Sequence, residues 1–305
     1  MKAHVGWVGR VVGWVEERKR NAKSWVYQPS LRFLLAVVVL LAAAPALAAG
    51  DTRLRLHQLV ENQTGEADVV AEVRFGEDVA ARILGREKLS ADTNLQRYVS
   101  LLGTALALHA DRPELSFYFA VLDDAAVNAY SAPGGFVFIT LGAVRAAQDE
   151  AELAAVLTHE IAHVSRRHIV HELNIHGAEQ SDLSALTRFL GASADTARVA
   201  LAQAVDKALD VLFDTGYNVQ QELEADRVAT LLLAETGYDP TALQRFLARV
   251  EPADHRADSA GMKTHPGAGQ RDAALRQLLA EEKLSALPNN STQQTRFEAH
   301  VKTSR

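Results

Sequence analysis

Residues 149–163 read Asp-Glu-Ala-Glu-Leu-Ala-Ala-Val-Leu-Thr-His-Glu-Ile-Ala-His, a stretch without proline or glycine that carries an HExxH pattern at His159, Glu160 and His163. Asp149 is placed to cap a helix, with Glu152 three residues on as its reciprocal partner. Residues four apart share a helix face, so the imidazoles of His159 and His163 can converge on one ion. Zinc takes such nitrogen donors at about 2.0–2.1 Å in a tetrahedral shell, and a catalytic site leaves one position to water. Glu160, one residue past the first histidine, is then suited to act on that water as general base. The same pattern also arises by chance on amphipathic helices, where the histidines pack or face solvent. It therefore needs partners.

A third protein ligand has several candidates. His168 lies nine residues from His159, on nearly the opposite face at helical pitch. The glycine that lets a metzincin chain turn back to its metal is replaced here by Ser165-Arg166-Arg167. His168 therefore reads as a structural residue or a support for a ligand. His171 and His176 read as surface histidines. Glu222-Leu223-Glu224-Ala225-Asp226 is the better candidate, because Glu222 and Asp226 share one face of a helix expected over Gln220 to Glu235. One carboxylate can bind the metal while the other accepts the outer N–H of a ligating imidazole, a role that suits Asp226. Glu224 points elsewhere. An isolated acidic segment of this kind is ordinarily a solvated helix face; downstream of HExxH, the metal reading is preferred.

With these residues in hand, the chain resembles the M48 family of zinc metallopeptidases. The resemblance rests on the run from His159 to His168, on Glu222 to Arg227, and on Val127 to Thr140, which is similar to the family's NAxxxPGG segment. Thr264-His265-Pro266 with Arg271, and Gly237-Tyr238-Asp239-Pro240, add to it, and the match spans about Glu77 to Leu279. It implies one zinc ion per chain on His159, His163 and Glu222, with Glu160 as base and Asp226 supporting a ligand. His265 is implied either as a donor to the developing oxyanion or as a fourth zinc ligand that displaces water and holds the enzyme inactive. Arg271 would support His265 or make a structural ion pair. The fold expected is α+β, mostly helical: a zincin-like domain with a small β-sheet beside the HExxH helix.

Phe136-Val137-Phe138-Ile139-Thr140 is aromatic and β-branched and reads as a strand after a flexible Pro-Gly-Gly turn. Either it is an ordinary buried strand, or Gly135, Phe136, Val137 and Phe138 form an exposed edge to which an extended substrate adds. The resemblance favours the edge. Elsewhere, helices are expected from Leu54 to Glu87 and from Thr93 to Leu108, and a strand from Leu115 to Val121. The alanine-rich stretch from Gly177 to Gly216 suggests a helical excursion over the cleft.

At the start of the chain, Phe33 to Ala44 is an apolar run of twelve residues followed by Pro45 and Ala46-Leu47-Ala48, the pattern of an export signal and its cleavage site. It is short for a bilayer span of about 20 residues, although an uncleaved anchor in the inner membrane is the alternative. Residues 1–48 thus read as a signal peptide with an extended leading segment, 49–286 as the peptidase domain, and 287–305 as a polar, disordered tail. The chain carries a net charge of −6; removing 1–48, with seven Lys/Arg and two Asp/Glu, leaves −11. That balance argues against nucleic-acid binding. Without cysteine, the chain has neither disulfides nor cysteine-ligated zinc.

The function expected is a zinc-dependent endopeptidase of the periplasm, acting on unfolded or misassembled exported polypeptides, outer-membrane proteins among them. Peripheral contact with a membrane or an assembly machine is left open. Two alternatives remain: a periplasmic chaperone or assembly factor with latent protease activity, and a membrane-tethered processing protease.

Overall fold

The computed structural model describes residues 65–175, 194–254, 264–265, 268–288 and 290–301. The export signal expected over 1–48, the part of the first helix expected before Gly65, and His176 lie outside the described residues. Among those described, no helix is long and apolar enough to cross a membrane.

Helix α1 (Glu66–Arg86) buries Phe75, Val79 and Ile83, four residues apart and so on one face. Helix α2 (Thr93–Ala107) starts at Asp92, whose side chain accepts from the Leu95 amide, and buries Leu95, Val99, Leu102 and Leu106. Strands β1 (Tyr118–Leu122), β2 (Ala129–Ala132) and β3 (Phe136–Thr140) follow, then a short helix α3 (Leu141–Ala146). The strands form a sheet in the order β1-β3-β2, with β1 parallel and β2 antiparallel to β3. Between β2 and β3, Gly134 and Gly135 turn the chain at φ 75° and 99°, values that favour glycine. Helix α1 presses on this turn: a Cβ at Gly76 would sit 1.8 Å from the Pro133 carbonyl oxygen.

Helix α4 (Glu150–Ser165) carries the HExxH residues, and Asp149 caps it by accepting from the Glu152 amide, as expected. All sixteen of its residues are buried. Leu153, Leu157 and Ile161 have no exposed surface, and each contributes roughly 1.5–3 kcal/mol relative to an exposed position. Helix α5 (His168–Glu172) follows, then α6 (Ala194–Asp210) with a wide turn over Val211–Thr215. Helix α7 (Val219–Glu235) begins at a capping box in which Asn218 and Gln221 bond each other's backbone amides. Helices α8 (Ala242–Asp254), α9 (Ala268–Glu281) and α10 (Ser291–Val301) complete the domain. Helix α4 is central, packed against α2, β2, α7 and α8.

Two expectations about the sheet and the chain's last residues are overturned. Strand β3 is the middle of the sheet, paired with β1 on one side and β2 on the other. The backbone of Phe136, Val137 and Phe138 therefore has no open edge for a substrate, and Gly135 belongs to the turn. The edge beside α4 is β2, one strand earlier. The second correction concerns residues 287–305: instead of a disordered tail, Ser291–Val301 is a docked helix. Asn290 caps it by accepting from the Thr292 amide at 3.0 Å. Phe297 and Val301, four apart, are 1% and 2% exposed, and the apolar surface they bury holds the helix down.

Candidate active site

Helix geometry brings the side chains of His159 and His163 together, and α7 crosses α4 so that Glu222, in its first turn, faces them. His159 Nε2 is 3.1 Å from His163 Nε2 and 3.4 Å from Glu222 Oε2. His163 Nε2 is 3.4 Å from Glu222 Oε1. Four donors about 2.0–2.1 Å from one ion stand about 3.3–3.4 Å apart in a tetrahedral shell, so the two imidazole nitrogens and the Glu222 carboxylate are spaced as such ligands are. His265 supplies a fourth: its Nδ1 lies 3.3 Å from His159 Nε2 and 3.0 Å from Glu222 Oε1. The ligand atoms of all four residues fall within 4.8 Å of one another. Two or three imidazoles and a carboxylate are the donor set that zinc takes.

Glu160 is buried beside the cluster, its Oε1 3.7 Å from His265 Nε2. Its Oε2 has no hydrogen-bond partner among the described residues. A buried carboxylate oxygen left without a donor is costly and fits a group whose partner arrives with the reaction.

The surroundings stabilise this arrangement of charge. His159 Nδ1 is 3.0 Å from Asp226 Oδ1, one turn along α7 from Glu222. Burial opposes a charge on His159, but its bonds to Asp226 and Glu222 prevail and raise its pKa to about 9, so the site favours a positive centre. For His163, burial dominates and, with His159 and His168 nearby, lowers its pKa well below 6.5, toward the neutral form that ligates metal. Burial also opposes ionised Glu222, yet His265, Arg271 and the two ligand histidines hold its pKa well below the usual carboxylate range. Asp226, buried against Arg271 and His159, falls to about 2 because those partners outweigh desolvation. Arg271 bonds both oxygens of Asp226 and reaches Glu222 Oε2 at 2.9 Å; it also donates to the His265 carbonyl at 3.4 Å, so it makes the buried ion pair and holds the His265 backbone as well.

His168 does not lie on the opposite face. The helix ends at Ser165, and Arg167 takes the left-handed conformation at φ 55°. The chain thus turns without a glycine, and His168 comes back to His163, their Nδ1 atoms 2.8 Å apart. Glu72 of α1 anchors that turn, binding Arg167 Nε at 3.1 Å and Arg112 Nη2 at 2.9 Å. Arg112 in turn donates to the Val164 carbonyl at 3.2 Å. Glu224, expected to point elsewhere, bonds His168 and Arg166. Tyr217 stacks on His163 with ring centroids 3.9 Å apart. Nothing in the local sequence marks Glu72, Arg112 or Tyr217, whose roles depend on contacts distant along the chain. His171, by contrast, takes no part in the cluster.

Beside His159 and Glu160 a cavity of about 40 Å³ is lined by Val127, Ala129, Val156, Leu243, Phe246 and Leu247. Strand β2 forms one wall and α8 the other.

Comparison with known proteins adds a family. Residues 93–279 match the family model described as peptidase family M48. The chain is 28% identical over 227 residues to the beta-barrel assembly-enhancing protease of Escherichia coli (strain K12), covering 71% of this chain and 45% of that protein. It is 29% identical over 174 residues to the mitochondrial metalloendopeptidase OMA1 of Bos taurus, covering 55% of this chain and 33% of the relative. With the mitochondrial metalloendopeptidase OMA1 of Schizosaccharomyces pombe it shares 27% over 186 residues, 60% of this chain and 53% of the relative. The chain spans about half the length, or less, of these curated relatives.

Proposed function

The chain belongs to peptidase family M48, and on that footing we propose that it is a zinc-dependent endopeptidase whose reaction centres on His159, Glu160, His163 and Glu222. The observation that carries this reading is the spacing of two buried imidazole nitrogens and the buried Glu222 carboxylate at 3.1–3.4 Å beside a Glu160 oxygen without a partner among the described residues.

His159, His163 and Glu222 would hold zinc, which would supply the Lewis acidity to polarise the scissile carbonyl and to lower the pKa of a water. Glu160 takes the proton from the attacking water and delivers it to the leaving amine, so one carboxylate serves both halves of the hydrolysis. Asp226 accepts the outer N–H of His159 and keeps Nε2 turned inward, while Arg271 fixes Asp226. The apolar cavity beside His159 and Glu160 is the place for a substrate side chain next to the scissile bond.

His265 supports a second element of this reading. Its Nδ1 is spaced from His159 and Glu222 as a fourth ligand would be. We therefore read His265 as a gate that keeps the enzyme latent while it holds the fourth ligand position. The same spacing favours the alternative of a periplasmic assembly factor with latent protease activity.

The relatives' names point to β-barrel assembly and to endopeptidase activity. Together with the apolar run and small-residue site at Phe33 to Ala48, they support a periplasmic enzyme acting on unfolded or misassembled exported proteins, including outer-membrane ones. Cleavage of unfolded casein by the zinc-loaded full chain, abolished by a chelator and restored by zinc, tests the proposal; chelator-insensitive cleavage overturns it.

A further inference from the structure

His163 and His159 are supported in different ways. His159 meets a carboxylate directly, at Asp226, whereas His163 meets another imidazole. His163 turns Nε2 toward His159 and Glu222, so its one proton as a neutral ligand lies on Nδ1. That Nδ1 is 2.8 Å from Nδ1 of His168, which must then accept. His168, with Nδ1 accepting, carries its own proton on Nε2, and that nitrogen lies 3.3 Å from Glu224 Oε2. The other oxygen of Glu224 is held by Arg166. Donation thus runs outward from His163 through His168 to Glu224, which is anchored by accepting from Arg166 on its other oxygen.

Resting on the metal-site reading above, we infer that His168 is a positioning residue for His163, relaying the hold of Glu224 and Arg166 so that Nε2 of His163 is presented to the metal. The backbone is arranged for this purpose. Arg167 adopts a left-handed conformation that costs energy for a residue with a Cβ, and the buried Glu72 ion pair keeps it there. Without that turn His168 would follow the helix away from His163. His168 is 4% exposed, so water does not readily replace it as acceptor.

Outer partners of ligating histidines set metal affinity, typically by 10–100-fold. The test measures the zinc dissociation constant of the full chain against a competing chelator for wild type, His168→Leu, His168→Asn and Glu224→Gln. The Asn Oδ1 stands close to where the imidazole holds Nδ1 and can accept from His163; Leu cannot. His168→Leu should weaken zinc by roughly 10–100-fold, His168→Asn should recover most of that loss, and Glu224→Gln should fall between. Thermal melts of the metal-stripped proteins separate packing from positioning, since a packing role lowers both His168 variants alike. Wild-type zinc affinity in His168→Leu, or equal loss in His168→Asn and His168→Leu, overturns the relay while leaving the metal site standing. A wild-type chain that binds no zinc overturns the metal-site reading and the relay with it.

Discussion

Arg271 grips Asp226 through both carboxylate oxygens, Nε to Oδ2 at 2.8 Å and Nη2 to Oδ1 at 2.7 Å, with Arg271 1% and Asp226 2% exposed. Asp226 in turn meets His159 Nδ1, so the pair is the foundation of one metal ligand. Removing one member of a buried ion pair strands the other and costs about 3–5 kcal/mol. Arg271→Met should destabilise the chain by that order in urea unfolding. Asp226→Asn should weaken zinc binding by roughly 10–100-fold in chelator competition; unchanged zinc affinity would show that Asp226 does not orient His159.

Glu222 stands between both ligand histidines and Arg271. As a ligand, its loss should exceed what removal of an outer partner costs. Glu222→Ala, like His159→Ala, is expected to purify without stoichiometric zinc by elemental analysis. Full occupancy in Glu222→Ala would mean that another residue supplies the third protein ligand.

His265 decides the resting state. If it closes the donor set, His265→Ala keeps zinc, because three protein ligands remain, and cleaves casein faster than wild type. If it serves instead as the oxyanion donor, the same variant loses roughly a hundredfold to a thousandfold in kcat. The first outcome is expected, and the second contradicts the gate.

The parts of this site that the sequence makes legible are those set by short spacing. His159 and His163 are fixed by the helical repeat, and Glu222 and Asp226 by the same repeat on a second helix with its own capping residue. What escapes it depends on partners far along the chain. The return of His168 requires a left-handed Arg167, which no glycine announces and which Glu72, 95 residues away, stabilises. The central position of β3 requires β1 to enter parallel, and a strand's composition does not reveal its neighbour. The docked α10 left a faint signal in Phe297 and Val301, one helical turn apart amid polar residues.

That helix offers its own test. Phe297 is almost fully buried, and Arg296 and Tyr98 both bond Glu150 at the start of α4. Phe297→Ala should lower unfolding stability by about 3–5 kcal/mol, read as a shifted urea midpoint. Wild-type stability would show that α10 adds nothing to the domain.

The central claim is that Glu160 is the proton-transferring base of a zinc peptidase, and the most direct measurement is casein cleavage by zinc-loaded Glu160→Gln beside wild type. The amide keeps the shape of the side chain but cannot take the proton. The account predicts one zinc per chain retained and cleavage reduced by roughly a hundredfold to ten-thousandfold. Cleavage near the wild-type rate would contradict it.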